Sequence, residues 1–428
     1  MREIKKQEAE KQKADRKGAG MSTEERNLEA MTAYFQEGCK KQEQGCVGVE
    51  IEHFVVDDKG EPITYETMEK LLLKQAEQDP RNRKAMEDGH FLGYYNEEYS
   101  ITLEPAAQLE ISVMPRKTVG ELEKVLDLFY STYTKALGEA GYHMVNLGYH
   151  PTKRADQLPL IPKKRYAYMN EYFKHTGERG IQMMRATAST QVSVDFFSEE
   201  DFIRKYRLAC KLVPVFSLLT DNSPVYEAEK SRRFLTRSYV WQGVDPMRCL
   251  IPDCVFEKDF GFRAYARELY GKQPILIRQG EKTIATENAS IRELYAKQEL
   301  TLPEIEHLIS MFFYDVRLKH YLEIRPADSL PQELALAYAE LVRGIFYHVE
   351  VLEFLDQYLP VSNKKQIEAA KAELMQEGYQ GMVYGRPVSQ VLDTLFEQVY
   401  RAAAPEEQNR MEPLYRLERQ RITPAESL

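Results

Sequence analysis

Four segments of the chain alternate apolar and polar residues with the period of two that a half-buried strand imposes: residues 47–56, 100–113, 183–197 and 315–325. Between them the apolar positions recur at helical spacing, which predicts helices over residues 119–140 and 200–219. Ser22-Thr23-Glu24-Glu25 is a helix-start signal, and the amphipathic stretch it opens runs to about Lys41. From Leu330 onward the pattern is almost wholly helical, with residues 378–387 as an interruption. Strands and helices do not alternate regularly, and no Gly-rich loop follows a strand. That argues against a doubly wound nucleotide-binding fold and predicts an α+β chain with a largely antiparallel sheet.

The polar faces of these strands carry the chemistry. In Val49-Glu50-Ile51-Glu52 the apolar pair points one way and both carboxylates the other. Glu104, Gln108 and Glu110 share one parity, against Leu103, Leu109 and Ile111 on the opposite one. Glu323 and Arg325 lie together because Leu322 and Ile324 take the core side. The 183–197 segment sets Arg185, Thr187, Ser189, Gln191, Ser193 and Asp195 on one face. A single strand of this kind is an ordinary solvated face. Three strands that concentrate carboxylates at i, i+2 spacing are not, because neighbouring carboxylates repel unless a cation sits among them. Glutamates with a glutamine carbonyl suit the hard Mg²⁺ ion, which also takes phosphate oxygens. Arg185 with its hydroxyl and amide neighbours supplies the complement for anionic parts of a substrate.

Composition narrows the class without changing it. The 428 residues are 43% hydrophobic and 29% charged, enough for a large core in a soluble chain. With 58 basic and 67 acidic residues the net charge is −9, which disfavours a nucleic-acid partner. No window approaches a membrane span. The first seventeen residues are charged throughout, unlike a secretory signal, and read as a frayed helix or start-site extension. Residues 1–22 are thus expected to be an extension and 23–428 one catalytic domain, of which 330–428 is helical. Five scattered cysteines without a C-x-x-C pair read as reduced thiols in the cytoplasm, Cys249 and Cys254 included. The eight histidines are dispersed and no G-x-S-x-G occurs, so no nucleophilic triad is visible. His53 reads as a core-face residue. Trp241, the only tryptophan, suits either packing or substrate cover.

TLEPAAQLEIS resembles the signature strand of plant-type and proteobacterial glutamate–cysteine ligases, and VGVEIEHFVVD their first strand with its E-x-E pair. MMRATASTQVSVDF is similar to their Met-Met-Arg…Gln-Val segment. The likeness continues through KKRYAYMNEYF, SRRFLTRSYVWQGVDPMRC, VRLKHYLEIRPAD, GMVYGRPVSQ and RITPAE, in the family's order, over residues 45–428. The resemblance implies a glutamine-synthetase-like curved sheet. It also implies ligation of the glutamate γ-carboxylate to the amine of cysteine, with ATP and Mg²⁺ and through a γ-glutamyl phosphate. It places Glu50, Glu52, Glu104, Gln108, Glu110 and Glu323 at the metal and ATP phosphates, and Arg185 and Gln191 on the substrate-facing strand. Arg232, Arg237 and Trp241 fall in the loop that closes over glutamate, and Arg325 meets the transferring phosphoryl group, with Arg185 as the second catalytic arginine. One departure stands out: Ala106 and Ala107 occupy positions where the family has two glycines, which bears on backbone approach and on φ > 0. The alternatives are a γ-glutamyl ligase for another amine and a non-catalytic glutamate- or nucleotide-binding regulator. A guanidino kinase is less consistent, since no reactive-Cys loop is present.

Overall fold

The structure, a computed structural model, describes residues 20–279 and 282–428. The charged stretch at 1–17 lies outside the described residues. Nine strands, numbered here in chain order, build the main sheet. They are β1 (Val47–Asp57), β2 (Arg83–Glu87), β3 (His90–Tyr95), β4 (Tyr99–Leu103), β5 (Leu109–Arg116), β6 (Tyr142–Val145), β7 (Thr190–Val194), β8 (Val316–Leu318) and β9 (Leu322–Ile324). The order is β8-β9-β7-β1-β5-β4-β3-β2, with β6 pairing along the second half of β1. Every one of these pairings is antiparallel.

One face of the sheet is the core. Val49, Ile51, Leu109, Ile111 and Val192 are buried there. The helix Val119–Glu139 packs on β5 and β6, and Gln332–Tyr347 on β1 and β7. The first buries Leu122, Leu126, Phe129 and Tyr133, spaced at three to four residues as an amphipathic face demands. His53 belongs to this side. Its Nδ1 meets Leu109 O at 2.9 Å and its Nε2 meets the Tyr130 hydroxyl at 2.8 Å. Burial lowers its pKa to about 4. The C-terminal region is a run of five helices from Gln332–Tyr347 to Pro405–Gln420. The interruption at 378–387 carries a short ladder between Met382–Val383 and Arg386–Pro387.

Three of the four predicted strands divide in the structure. Residues 100–113 are two strands around a turn, closed by Glu104 N–H to Gln108 O at 2.9 Å and Ala107 N–H to Glu104 O at 3.0 Å. Residues 315–325 likewise split into β8 and β9. The third is a correction: residues Gly180–Ala186 are helix, and β7 begins only at Thr190. Met183, Met184, Arg185 and Ala186 are good helix formers, whereas the β-branched residues that favour a strand start at Thr187. Strand parity therefore does not link Arg185 to Gln191. The β2–β3 hairpin has no clear alternation, and sequence periodicity missed it.

Candidate active site

The other face of the sheet forms the floor of a cleft of about 410 Å³. Register, not proximity in sequence, assembles that floor. Glu52 on β1 lies opposite Glu110 on β5, and Glu110 opposite Thr102 on β4. Glu50 lies opposite Gln191 on β7. Directly opposed side chains stand about 5 Å apart at Cβ, so these groups share one field. Glu104 enters from the β4–β5 turn. The helices Lys164–Phe173, Gly180–Ala186 and Thr236–Gln242, with the ladder between Leu276–Gln279 and Lys282–Ala285, contribute the walls.

The carboxylates divide electrostatically into two kinds. Burial and then the charge of Glu323 raise the pKa of Glu50. Burial and then Glu104 push Glu52 up to about 7, against hydrogen bonds from Ser189 N–H at 2.8 Å and Ser189 Oγ at 3.0 Å. Burial, then Glu104, Glu50 and Glu52, hold Glu110 well above the usual carboxylate range, although Thr102 Oγ1 donates to it at 2.7 Å. Glu104 accepts from the Tyr166 hydroxyl at 3.2 Å. Glu323 is the opposite case. It is 0% exposed, and burial alone would raise it, but three cations prevail and hold it well below the ordinary value. Arg317 reaches Oε2 at 2.6 Å, Lys319 Oε1 at 2.7 Å and Arg325 Oε2 at 2.8 Å. The floor thus holds four crowded carboxylates beside one carboxylate ringed by cations.

Of the residues singled out from sequence, Glu50, Glu52, Glu104, Gln108, Glu110, Gln191, Arg237, Trp241 and Arg325 line the cleft. Glu323 lies beneath it and holds Arg317, Lys319 and Arg325. Gln191 Oε1 accepts from Arg325 Nη1, while its Nε2 donates to Glu52 Oε1 at 3.3 Å. Arg237 donates to the carbonyls of Arg325 at 3.1 Å and Pro326 at 3.4 Å. Its Nε and the Trp241 Nε1 are buried donors without a protein partner, both on the cleft wall. Gln108 spends its amide on backbone: Oε1 accepts from Ala106 N–H at 2.7 Å, and Nε2 donates to Arg185 O at 3.1 Å and Thr187 O at 3.4 Å.

Two arginines fall elsewhere. Arg185 is not part of the cleft lining; its guanidinium donates to Asn170 Oδ1 at 2.6 Å and Leu158 O at 2.9 Å. Arg232 is exposed and also stands outside the lining. Neither alanine of the β4–β5 turn lines the cleft, but Ala107 holds φ at +63°, the left-handed region that glycine adopts freely. Among the described residues, no three His, Cys, Asp or Glu side chains converge closely enough to hold an ion by themselves. Sequence reasoning missed Lys163, Arg165, Tyr166, Arg278, His307 and Arg317, all in the lining. Arg317 shares odd parity with Glu323 and Arg325, and that was the available signal. Nothing in a helical period reveals that Arg165 and Tyr166 face a cleft.

The chain is 32% identical to the chloroplastic glutamate–cysteine ligase B of Oryza sativa subsp. japonica over 341 residues, 77% of this chain and 68% of that protein. It is 30% identical to the chloroplastic glutamate–cysteine ligase of Arabidopsis thaliana over 343 residues, 78% of this chain and 66% of that protein. Its fold matches the crystal structure of glutamate–cysteine ligase from Francisella tularensis in complex with AMP. That match has a TM-score of 0.59 and 12% identity, covering 90% of this chain and 84% of that one. The family model of glutamate–cysteine ligase family 2 spans residues 46–428. With that match and these relatives, the chain belongs to glutamate–cysteine ligase family 2.

Proposed function

We propose that the cleft joins the γ-carboxylate of glutamate to the amine of cysteine at the expense of ATP. The observation that carries this reading is the paired arrangement of the floor. Glu50, Glu52 and Glu110, their pKa values driven up, crowd together with Glu104, and Arg325 stands oriented beside them. Four such carboxylates suit hard divalent cations. Mg²⁺ keeps waters and takes phosphate oxygens, so it needs no complete cage of protein ligands. One or two of Glu50, Glu52, Glu104 and Glu110 would hold each ion, with water and phosphate oxygens completing its shell, and when bound it would supply charge neutralisation for the phosphates.

A carboxylate does not react with an amine until its oxygen becomes a good leaving group. A γ-carboxylate oxygen of glutamate attacks the terminal phosphorus of ATP, the bond to ADP breaks, and an acyl phosphate forms. The neutral amine then attacks the acyl carbon and phosphate leaves, the proton of the amine passing to solvent. Such chemistry asks the protein for position and charge. Glu323 and Gln191 both accept from Nη1 of the Arg325 guanidinium, leaving its Nε and Nη2 donors for the transferring phosphoryl group. Arg237 and the Trp241 indole offer buried donors to the α-carboxylate of glutamate. Met183, Met184 and Phe313 give the same cleft an apolar, polarisable wall suited to a small thiol side chain.

The test has two arms. Oxygen-18 in the glutamate γ-carboxylate must appear in released phosphate, with ADP and not AMP as co-product; unlabelled phosphate would remove the acyl-phosphate route. A comparison of kcat/KM across cysteine, 2-aminobutyrate, alanine, serine and a bulky amino acid fixes the acceptor. Cysteine should lead with 2-aminobutyrate close behind, because one methylene-sized difference is worth only about 1–3 kcal/mol. A bulky or charged amine winning tenfold would overturn the cysteine assignment and leave the ATP chemistry in place.

A further inference from the structure

Arg165 lies in the first turn of the helix Lys164–Phe173 and lines the cleft. Its Nη1 donates to Ser310 Oγ at 3.0 Å and its Nη2 to Ser310 O at 2.9 Å. These bonds fix the plane of the guanidinium, yet both acceptors are neutral. Among the described residues it forms no ion pair, whereas Arg317 grips Glu323 and Arg248 grips Asp245. Burial weakens its hold on its proton, and of the neighbouring groups Tyr166 and Glu104 favour its charge while Arg317 and Arg278 oppose it. Arg317 and Arg278 both repel it, and Glu104, the carboxylate nearby, is engaged by the Tyr166 hydroxyl. A half-buried guanidinium, held rigid and given no ion-pair partner, is left incomplete until an anion reaches it.

Three kinds of anion enter this cleft under the function proposed above: an amino-acid α-carboxylate, the singly charged γ-carboxylate of glutamate and a polyphosphate. The α-carboxylate of an amino acid arrives with an ammonium group on the adjacent carbon, and a bay of like cations repels that group. A polyphosphate carries several negative charges and no positive one. Arg237, with its unpartnered Nε and with Glu52 near its charge, sits in a mixed field that suits the zwitterion. The field at Arg165 is mainly cationic. The geometry points to Arg165 as a binding residue for the nucleotide's phosphates, a reading that rests on the ligase function proposed above. Ser310 acts here as a positioning residue, since it orients the guanidinium without touching the ligand.

The variant Arg165→Met tests this in the full chain, because it keeps length and removes charge. Replacing a half-buried cation that has no ion-pair partner by an apolar side chain should leave the melting temperature of the ligand-free protein unchanged or higher. Binding is read by calorimetry with ADP, pyrophosphate and adenosine, in the presence of Mg²⁺. ADP and pyrophosphate should each weaken by about ten- to hundredfold, the range of one charge-assisted hydrogen bond, while adenosine is unmoved. The KM for ATP should rise with them, and those for glutamate and cysteine should stay within about twofold. Unchanged ADP binding overturns the assignment. So does an effect confined to the KM of either amino acid, which would make Arg165 a carboxylate clamp, or a fall in ligand-free stability, which would make it structural. Arg165→Lys should restore part of the pyrophosphate affinity, and no recovery counts against a direct contact. If the unaltered protein itself neither binds ADP nor consumes ATP, it is the ligase reading that has failed.

Discussion

The crowding of carboxylates on the cleft floor makes the metal-free protein sensitive to pH in an unusual direction. Glu52 is pushed from 4.5 to about 7, by burial first and then by Glu104. A carboxyl whose folded value is raised adds stability that is fully present below the unfolded value and is lost as pH rises through the folded one. Between pH 4.5 and 7 the metal-free fold therefore gives up on the order of 3 kcal/mol through Glu52 alone, at 1.36 kcal/mol per unit. For a chain of this length that corresponds to a melting temperature lower by about 3 °C. Other groups titrate in the same range, among them Asp328, raised to about 6 by burial. The quantity to read is therefore the difference between the parent protein and Glu52→Gln, each melted from pH 5 to 8 in chelator. The variant should gain on the parent steadily as pH rises, and Mg²⁺ with ADP should erase the parent's deficit. Parallel curves for the two proteins would show that Glu52 feels no such field, and the electrostatic account of the floor would fall.

Glu50→Gln and Glu110→Gln should each slow ligation by at least about a hundredfold at saturating Mg²⁺ with melting temperatures preserved; near-normal turnover in a folded variant removes that residue from the metal set. Glu323→Gln leaves Arg317, Lys319 and Arg325 around a neutral group, so stability should drop by about 3–5 kcal/mol in denaturant titration, and a drop below about 1 kcal/mol would contradict the ion cluster. Ala107→Gly relieves a left-handed backbone worth about 1–2 kcal/mol and adds about 0.5–1 kcal/mol of chain entropy cost, so the variant should be slightly more stable with unchanged acceptor preference. Arg237→Lys should raise the KM for glutamate far more than that for ATP, and equal effects would return Arg237 to a structural role.

Much of this architecture was legible because strand parity and burial agree. Glu50 and Glu52 face one way for the same reason that Val49 and Ile51 face the other, and one apolar helix layer enforces both. What parity does not carry is register. That Glu52 meets Glu110 and Glu50 meets Gln191 depends on which strands pair and where the β4–β5 turn falls. Arg185 shows the limit from the other side. An alternation counted through residues 183–197 assumed one conformation, but Met-Met-Arg-Ala prefers helix, and two residues at even spacing part company where the helix ends. The Ala106-Ala107 departure was visible as a question about φ. Its answer lies in the backbone of the turn, where the strain is borne without a methyl entering the cleft.

The cations of the site were the least legible part, and the reason is physical. A carboxylate cluster announces itself, because like charges at i, i+2 spacing are unfavourable and need an explanation. A lysine or arginine on a helix does not, since long basic side chains normally reach solvent. Lys163 and Arg165 become informative only when their surroundings are known, whereas Arg317 on β8 shares its parity with Glu323. Arg317 answers Glu323, and Arg165 answers nothing in the protein but Ser310. The two halves of the floor are therefore unbalanced in opposite senses, with too many carboxylates around Glu110 and too many cations around Glu323 and Arg165. Under the proposed function, a divalent cation and a polyphosphate entering together would relax this imbalance, each completing the half that lacks it. Nucleotide should therefore bind far more tightly with the metal than without it, and either partner alone should bind weakly.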